Sequence, residues 1–300
     1  MTRLVAAETN EKLPTLERSN ALNAVNASIL MAVVLLIGPG EHLVSVHAAQ
    51  DVTKLTPIQL AIEKQRQRLS SAEIEDRRDA LMKLRALQRP EASRVALSAL
   101  NDPAPIVRAT ATAAVLWLPA AESVVALLPL LSDKEEFVRQ HAAYALGLTH
   151  SRSAVAGLIE LLTDKKDSVR GAAAVALGQI GDASAVTALA AVLNPQAGLA
   201  PSKKGQKSKR EQNPFVLRSA ARSLGQIRNR AGVPALIGVL LDDKAEADLR
   251  REAASALGEI GDASAIPALR DVTTAGDPYL AEAAHQALRR ISRSRTAGGV

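Results

Sequence analysis

"GAAAVALGQIGDASAVTALAAVL", residues 171–193, returns with few changes as "REAASALGEIGDASAIPALRDV" at residues 251–272. A single globular core gains nothing from spelling the same run twice. A stack of like units does, because each unit must offer the next the surface it met in the last. Within the run, Val169, Ala172, Ala173, Ala176 and Leu177 fall at the i, i+3, i+4, i+7, i+8 positions of one helix face. Gly181-Asp182 then breaks the pattern: glycine accepts a left-handed cap, and the aspartate can cap the next helix. Gly261-Asp262 repeats the device. A second helix carries Val186, Leu189 and Leu193 on one face, and Pro234 and Pro267 sit near its start in two other copies, where a missing N–H costs least.

The register extends outward from this unit. Val107-Arg108, Val138-Arg139 and Val169-Arg170 stand 31 residues apart, and an apolar column comes eight residues after each valine. That column reads Leu84, Val115, Leu146, Leu177, Leu224, Leu257 and Leu288. Its spacing departs from 31 only between Leu177 and Leu224 and between Leu224 and Leu257, where it is 47 and 33. Six two-helix units are predicted, starting near residues 75, 104, 135, 166, 213 and 246, with paired helices of about 10 to 13 residues. "TPIQLAIEKQRQRLSS", 56–71, reads as the opening cap and a lone helix at about 277–291 as the closing one, since terminal units need a polar outer side.

The residues "VRGAAAVALGQIGDASAVTALAAVL" resemble the short HEAT-like repeat named for the phycobilisome lyases. The resemblance covers roughly residues 75–291 and implies an all-α, HEAT-like α-solenoid of 31-residue repeats with capping helices. For function it implies several things: a chromophore lyase, a metal-dependent hydroxylase or a plain interaction scaffold. The organisation expected is a leader at 1–48, a linker and capping helix at 49–74, the solenoid at 75–291, a basic disordered loop at 195–213 inside it, and a flexible tail at 292–300.

Composition narrows the chemistry. Aromatics make up 2% of the chain, so the base-stacking platforms of single-stranded nucleic-acid binders are missing. Cysteine is absent, which excludes disulfides, thiolate metal sites and a cysteine nucleophile. The net charge of +6 belongs to the body, because residues 1–48 carry three basic and four acidic side chains. Phosphate-loop, dinucleotide and nucleophile-elbow glycine patterns are lacking. A metal-dependent hydroxylase of this repeat type holds iron by repeated His-Glu pairs. Here the matching helices read "RQHAAYALG" and "RREAASALG", so neither has both members adjacent. No catalytic residue, metal ligand set, cofactor or small-molecule substrate is therefore predicted.

"ASILMAVVLLI", Ala27–Ile37, is too short for a spanning helix and fits the apolar region of a secretory signal. "SVHAAQ" offers Val46 and Ala48 for cleavage before Ala49. The expectation is an exported protein, periplasmic or secreted; the alternative is an uncleaved N-terminal membrane anchor.

Three features bear on partners. The arginine column (Arg77, Arg108, Arg139, Arg170, Arg250) could be an anion ladder, but Asp102, Asp133 and Asp164 recur five residues before the valines and supply counter-charge. A structural role is expected. The second-helix columns Arg94, Val125, Ala156, Thr187, Pro234, Pro267 and Ser98, Pro129, Glu160, Ala191, Gly238, Asp271 are bland where they should face solvent. That suits contact with a protein surface better than with phosphates. Finally, Lys203, Lys204, Lys207, Lys209 and Arg210 gather in "NPQAGLAPSKKGQKSKREQNPF", 194–215, and are the candidate partner-binding residues. They would steer an acidic protein or an anionic membrane surface; nucleic acid is disfavoured. The reading is a non-enzymatic protein–protein interaction scaffold, against a family-type lyase or hydroxylase and a nucleic-acid-binding HEAT-like protein.

Overall fold

The computed structural model describes residues 55–194, 213–274 and 276–297, with side chains to residue 293. Fourteen α-helices and short 3-10 turns make up its regular structure, with no strand among the described residues. An opening helix, α1 (Pro57–Arg68), starts on a reciprocal cap: Gln59 Oε1 accepts from the Thr56 N–H at 2.8 Å, and Thr56 Oγ1 accepts from the Gln59 N–H at 3.3 Å. From Ala61 onward the chain forms one unit.

Six helix pairs come next: α2 (Ile74–Ala86) with α3 (Pro90–Ala96), α4 (Pro105–Ala114) with α5 (Ala120–Leu127), α6 (Glu136–Leu148) with α7 (Val155–Leu161), α8 (Asp167–Ile180) with α9 (Val186–Leu193), α10 (Pro214–Ile227) with α11 (Val233–Leu241), and α12 (Ala247–Ile260) with α13 (Ile266–Asp271). The closing helix is α14 (Pro278–Ala297). It runs past the expected end near 291 because no glycine or proline interrupts the sequence before Gly298. Helix therefore occupies 292–297, where a flexible tail was expected.

First helices pack on first helices, each against the one before and the one after. The apolar column forms the seam: Leu84, Val115, Leu146, Leu177, Leu224 and Leu257 are all at most 1% exposed. Leu288 in α14 is half-buried, being the last in the stack. The outer side of α14 is polar, with Glu282, His285, Gln286 and Arg289 exposed, as a cap requires.

Second helices are shorter than expected, 6 to 9 residues of α-helix. In the first two units a 3-10 turn follows the α-helix (Leu97–Asn101 and Leu128–Ser132), whereas in the last four it precedes it, and in the fourth to sixth the caps explain why. Gly181 and Gly261 take φ of 74° and 76°, ending α8 and α12; Asp182 and Asp262 then accept from the N–H of Ser184 and Ser264, two residues on. That tight Asx turn opens a 3-10 turn before the α-helix begins. In the fifth unit Arg228 takes the left-handed position at φ 56° without glycine's freedom, and Asn229 does the capping.

A second column lies one residue beyond the leucines. It reads Gly147, Gly178, Gly225 and Gly258 in the third to sixth units, but Arg85 and Leu116 in the first two. A Cβ on Gly225 would stand 2.8 Å from the Ala256 Cα, and one on Gly258 2.7 Å from that of Ala287. Glycine here allows backbone to approach backbone, and α6 through α14 run closely packed; the contacts of α2 with α4 and of α4 with α6 are sparser. We predict that Gly225→Ala lowers stability by about 1–3 kcal/mol through overpacking. Gly238→Ala, where an added Cβ meets nothing within 4 Å, should be neutral or stabilising by up to about 1 kcal/mol. Urea midpoints of the two variants check the contrast.

Candidate interaction surfaces

The arginine column is consumed inside the fold. Arg77 Nε and Nη2 donate to Asp102 at 2.7 and 3.0 Å, Arg108 to Asp133 at 2.7 and 2.8 Å, and Arg139 to Asp164 at 2.8 and 3.0 Å. Each arginine thus grips the aspartate of the following unit with a two-pronged bond. Its remaining Nη1 donates to carbonyls at the start of its own helix, such as Asp102 O and Pro103 O for Arg108. Each aspartate also accepts a backbone N–H two residues on. The guanidinium is thereby satisfied on both sides of the seam and is 6 to 9% exposed. Burial works against the Asp133 and Asp164 carboxylates, yet the bonds from Arg108 and Arg139 and from the backbone outweigh it and hold both below the usual aspartate range.

This stitching stops at the fourth unit. Arg170 turns to Asp167 of its own helix and to Asp164 O at 2.9 Å. Leu217 takes the next place in the column, and Arg250 pairs with Asp243 at 3.2 Å. A different set of ion pairs ties the later units: Arg222 with Glu252 at 3.0 and 2.7 Å, Arg218 with Asp248 at 3.1 Å, and Arg251 with Asp277 at 3.1 Å. Arg251 also lies 5.4 Å from the Tyr279 ring centroid. Arg218, Arg222, Asp248, Arg251 and Glu252 line an open groove of about 480 Å³ between α10 and α12, bounded at one end by Phe215, whose ring sits over Gly171. Its charges are largely cancelled within the groove.

The second-helix columns face solvent. Arg94, Val125, Ala156, Thr187, Pro234 and Pro267 are exposed in all six units, as are Ser98, Pro129, Glu160, Gly238 and Asp271, with Ala191 half-buried. Val125 is 73% exposed. A continuous file of small, mostly uncharged side chains thus runs along the stack. The five candidate cations, Lys203, Lys204, Lys207, Lys209 and Arg210, lie outside the described residues, as does the N-terminal segment 1–48.

His141 and His150 are engaged with backbone carbonyls, their Nδ1 atoms 2.8 Å from Phe137 O and Gln179 O. Among the described residues no three of His, Cys, Asp and Glu converge as a metal site, and no helix is long and apolar enough to cross a membrane.

A second groove, of about 530 Å³, opens between the end of α2 and the end of α4. Met82, Arg85 and Gln88 line one side, Ala113, Leu116 and Trp117 the other. Periodicity alone does not reveal it, although the break of the glycine column at Arg85 and Leu116 is a visible signal.

A repeating two-helix unit stitched in this way defines an α-solenoid. The HEAT repeat model matches residues 62–147, 124–199 and 206–289, and the chain belongs to the HEAT repeat family. The X-ray structure of Escherichia coli YibA is similar in fold, with a TM-score of 0.55 at 18% identity over 95% of this chain and 100% of that one. The complex of CpcE and CpcF of phycocyanin lyase from Nostoc sp. PCC7120 aligns with a TM-score of 0.45 at 23% identity, over 80% of this chain and 88% of that one. Human deoxyhypusine hydroxylase aligns with a TM-score of 0.33 at 19% identity, over 77% and 96%. No curated protein matches the sequence.

The stitches set an acid limit. Carboxylates held below their ordinary range contribute stability that is complete above about pH 4 and is lost as pH falls through the lowered folded value. Asp133→Asn should cost about 3 kcal/mol at pH 7, because it leaves the buried Arg108 short of its counter-charge. It should also flatten the acid arm of the stability–pH curve. Urea melts of both proteins between pH 7 and pH 3 measure both effects.

Proposed function

We propose that this HEAT repeat chain is a non-enzymatic protein-interaction scaffold that works after export. The observation that carries the reading is the second-helix file: apart from Arg94, Glu160 and Asp271, its side chains are small and uncharged, and each unit exposes at least one position of it. Such a face matches a protein surface in size and polarity, whereas phosphate backbones call for rows of Lys and Arg. The arginine column supports it by exclusion, since Arg77, Arg108 and Arg139 are committed to Asp102, Asp133 and Asp164, and Arg170 and Arg250 to Asp167 and Asp243. In this reading Lys203, Lys204, Lys207, Lys209 and Arg210 raise the rate of encounter with an acidic protein partner, and the solenoid supplies the contact. An anionic membrane surface is the alternative target for the same cations.

Ala156→Glu combined with Gly238→Glu places two charges on the exposed file without touching the core. Native size-exclusion of the tagged protein from its own compartment should show a partner complex that this variant loses while its melting temperature holds. Replacing the five loop cations with Gln should instead weaken the complex most at low salt. A complex that survives both changes sinks the scaffold reading.

Export rests on Ala27–Ile37 and the small residues ahead of Ala49. Mass spectrometry of the native protein should find its N-terminus near Ala49; an intact Met1 in the cytoplasmic fraction would refute export.

A further inference from the structure

The two ends of the stack differ on the first-helix side. Two residues past the leucine column, the units carry Ala86, Trp117 and Leu148, then Gln179, Gln226 and Glu259. The later three reach back to the glycine of the preceding unit. A Cβ on Gly147 would meet Gln179 Oε1 at 2.3 Å, one on Gly178 would meet Gln226 Oε1 at 2.3 Å, and one on Gly225 would meet Glu259 Oε2 at 2.9 Å. There the seam is closed by close backbone packing and a polar lid.

In the first two units Arg85 and Leu116 replace the glycine, and the seam cannot close in this way. α4 is also short: Leu118 precedes Pro119, which disfavours helix there, and the chain leaves α4 after Ala114 through a turn carrying Leu116 and Trp117. The result is the groove of about 530 Å³, with Met82 51% and Trp117 43% exposed on its two sides. Its volume falls within the range of binding clefts. The charge at its rim is one-sided. Arg77, Arg78 and Lys83 of α2 are each paired with a carboxylate, whereas Arg85 in the groove and Arg89 just beyond it are exposed and have no carboxylate partner among the described residues.

We propose that this groove docks an amphipathic helical segment of a partner protein, its apolar face flanked by carboxylates. The inference rests on the protein-interaction reading and adds a second, chemically distinct surface to it. The apolar anchors enter beside Met82, Leu116 and Trp117, and the carboxylates meet Arg85 and Arg89. A single aromatic with two cations does not make the stacking track that a nucleic-acid strand needs.

Trp117 is the only tryptophan of the chain, so its emission reports on this groove alone. The probes are two synthetic helical peptides with Leu at i, i+3, i+4 and i+7, one with Glu and one with Lys at the flanking positions. The Glu peptide should shift Trp117 emission saturably and lose affinity as salt rises, while the Lys peptide binds at least about tenfold more weakly. The doubly substituted Arg85→Glu, Arg89→Glu protein should reverse that preference with unchanged circular dichroism. Met82→Glu should weaken both peptides, and Ala156→Glu on the second-helix file should weaken neither.

Equal binding of the two peptides, or no saturable shift with either, overturns the proposal. So does a preferential response to oligo(dT), or a Trp117 shift on merely concentrating the protein, which would give the groove to a nucleic acid or to a second copy. If the groove fails while Ala156→Glu with Gly238→Glu still abolishes the native complex, the scaffold reading stands and only the groove falls.

Discussion

The constraint on which this molecule depends is that no helix pair buries its own apolar stripe. Leu146, Leu177, Leu224 and Leu257 reach full or nearly full burial only because the next first helix lies across them. That dependence makes the stack cooperative between neighbours and indifferent to what lies further off. It also explains the poverty of large side chains. Where helices must meet at a fixed spacing, alanine and glycine let backbones approach, as Gly225 does on Ala256 and Gly258 on Ala287.

Electrostatics is governed by the same seam. A cation repeated once per unit beside a helix start would repel its copies unless each received its own counter-charge. The aspartate of the next unit supplies it with two hydrogen bonds, and the backbone takes up the rest of the guanidinium. A buried pair of this kind adds less to stability than its Coulomb energy suggests, because both groups were desolvated to make it. What it fixes is register, since Arg108 can satisfy Asp133 only when consecutive units sit at one offset. The later units are tied by other pairs, Arg222 to Glu252 and Arg251 to Asp277. The stitch is thus one solution to a packing requirement that other residues can meet.

The seam commits Arg77, Arg108 and Arg139 to Asp102, Asp133 and Asp164, so the proposed contacts fall to surfaces outside it. Two of those surfaces carry them: the bland second-helix file along the stack, and the apolar groove in the first two units, where glycine is missing. They differ in shape and polarity, so they would select different features of a partner. In the proposed scaffold, the extended face would hold a partner broadly and the local cleft would orient it at a point.

Much of this was legible in the sequence. The 31-residue register, the helix–turn–helix unit, the left-handed Gly181 and Gly261 and the pairing role of Asp102, Asp133 and Asp164 all come from local rules of periodicity, capping and charge. The solvent-facing second-helix columns were legible for the same reason, since helical period assigns faces. Three things needed the tertiary structure. Which arginine takes which aspartate depends on the offset between units, which no local pattern states. The shortness of the second helices comes from 3-10 structure at one end of each, opened by Asx turns at Asp182, Asn229 and Asp262, a choice between two hydrogen-bond patterns open to the same residues. The groove at Met82 and Trp117 exists because Arg85 and Leu116 stand where four later units carry glycine. Sequence displays that substitution, but only the stacked helices turn a missing close contact into a cleft.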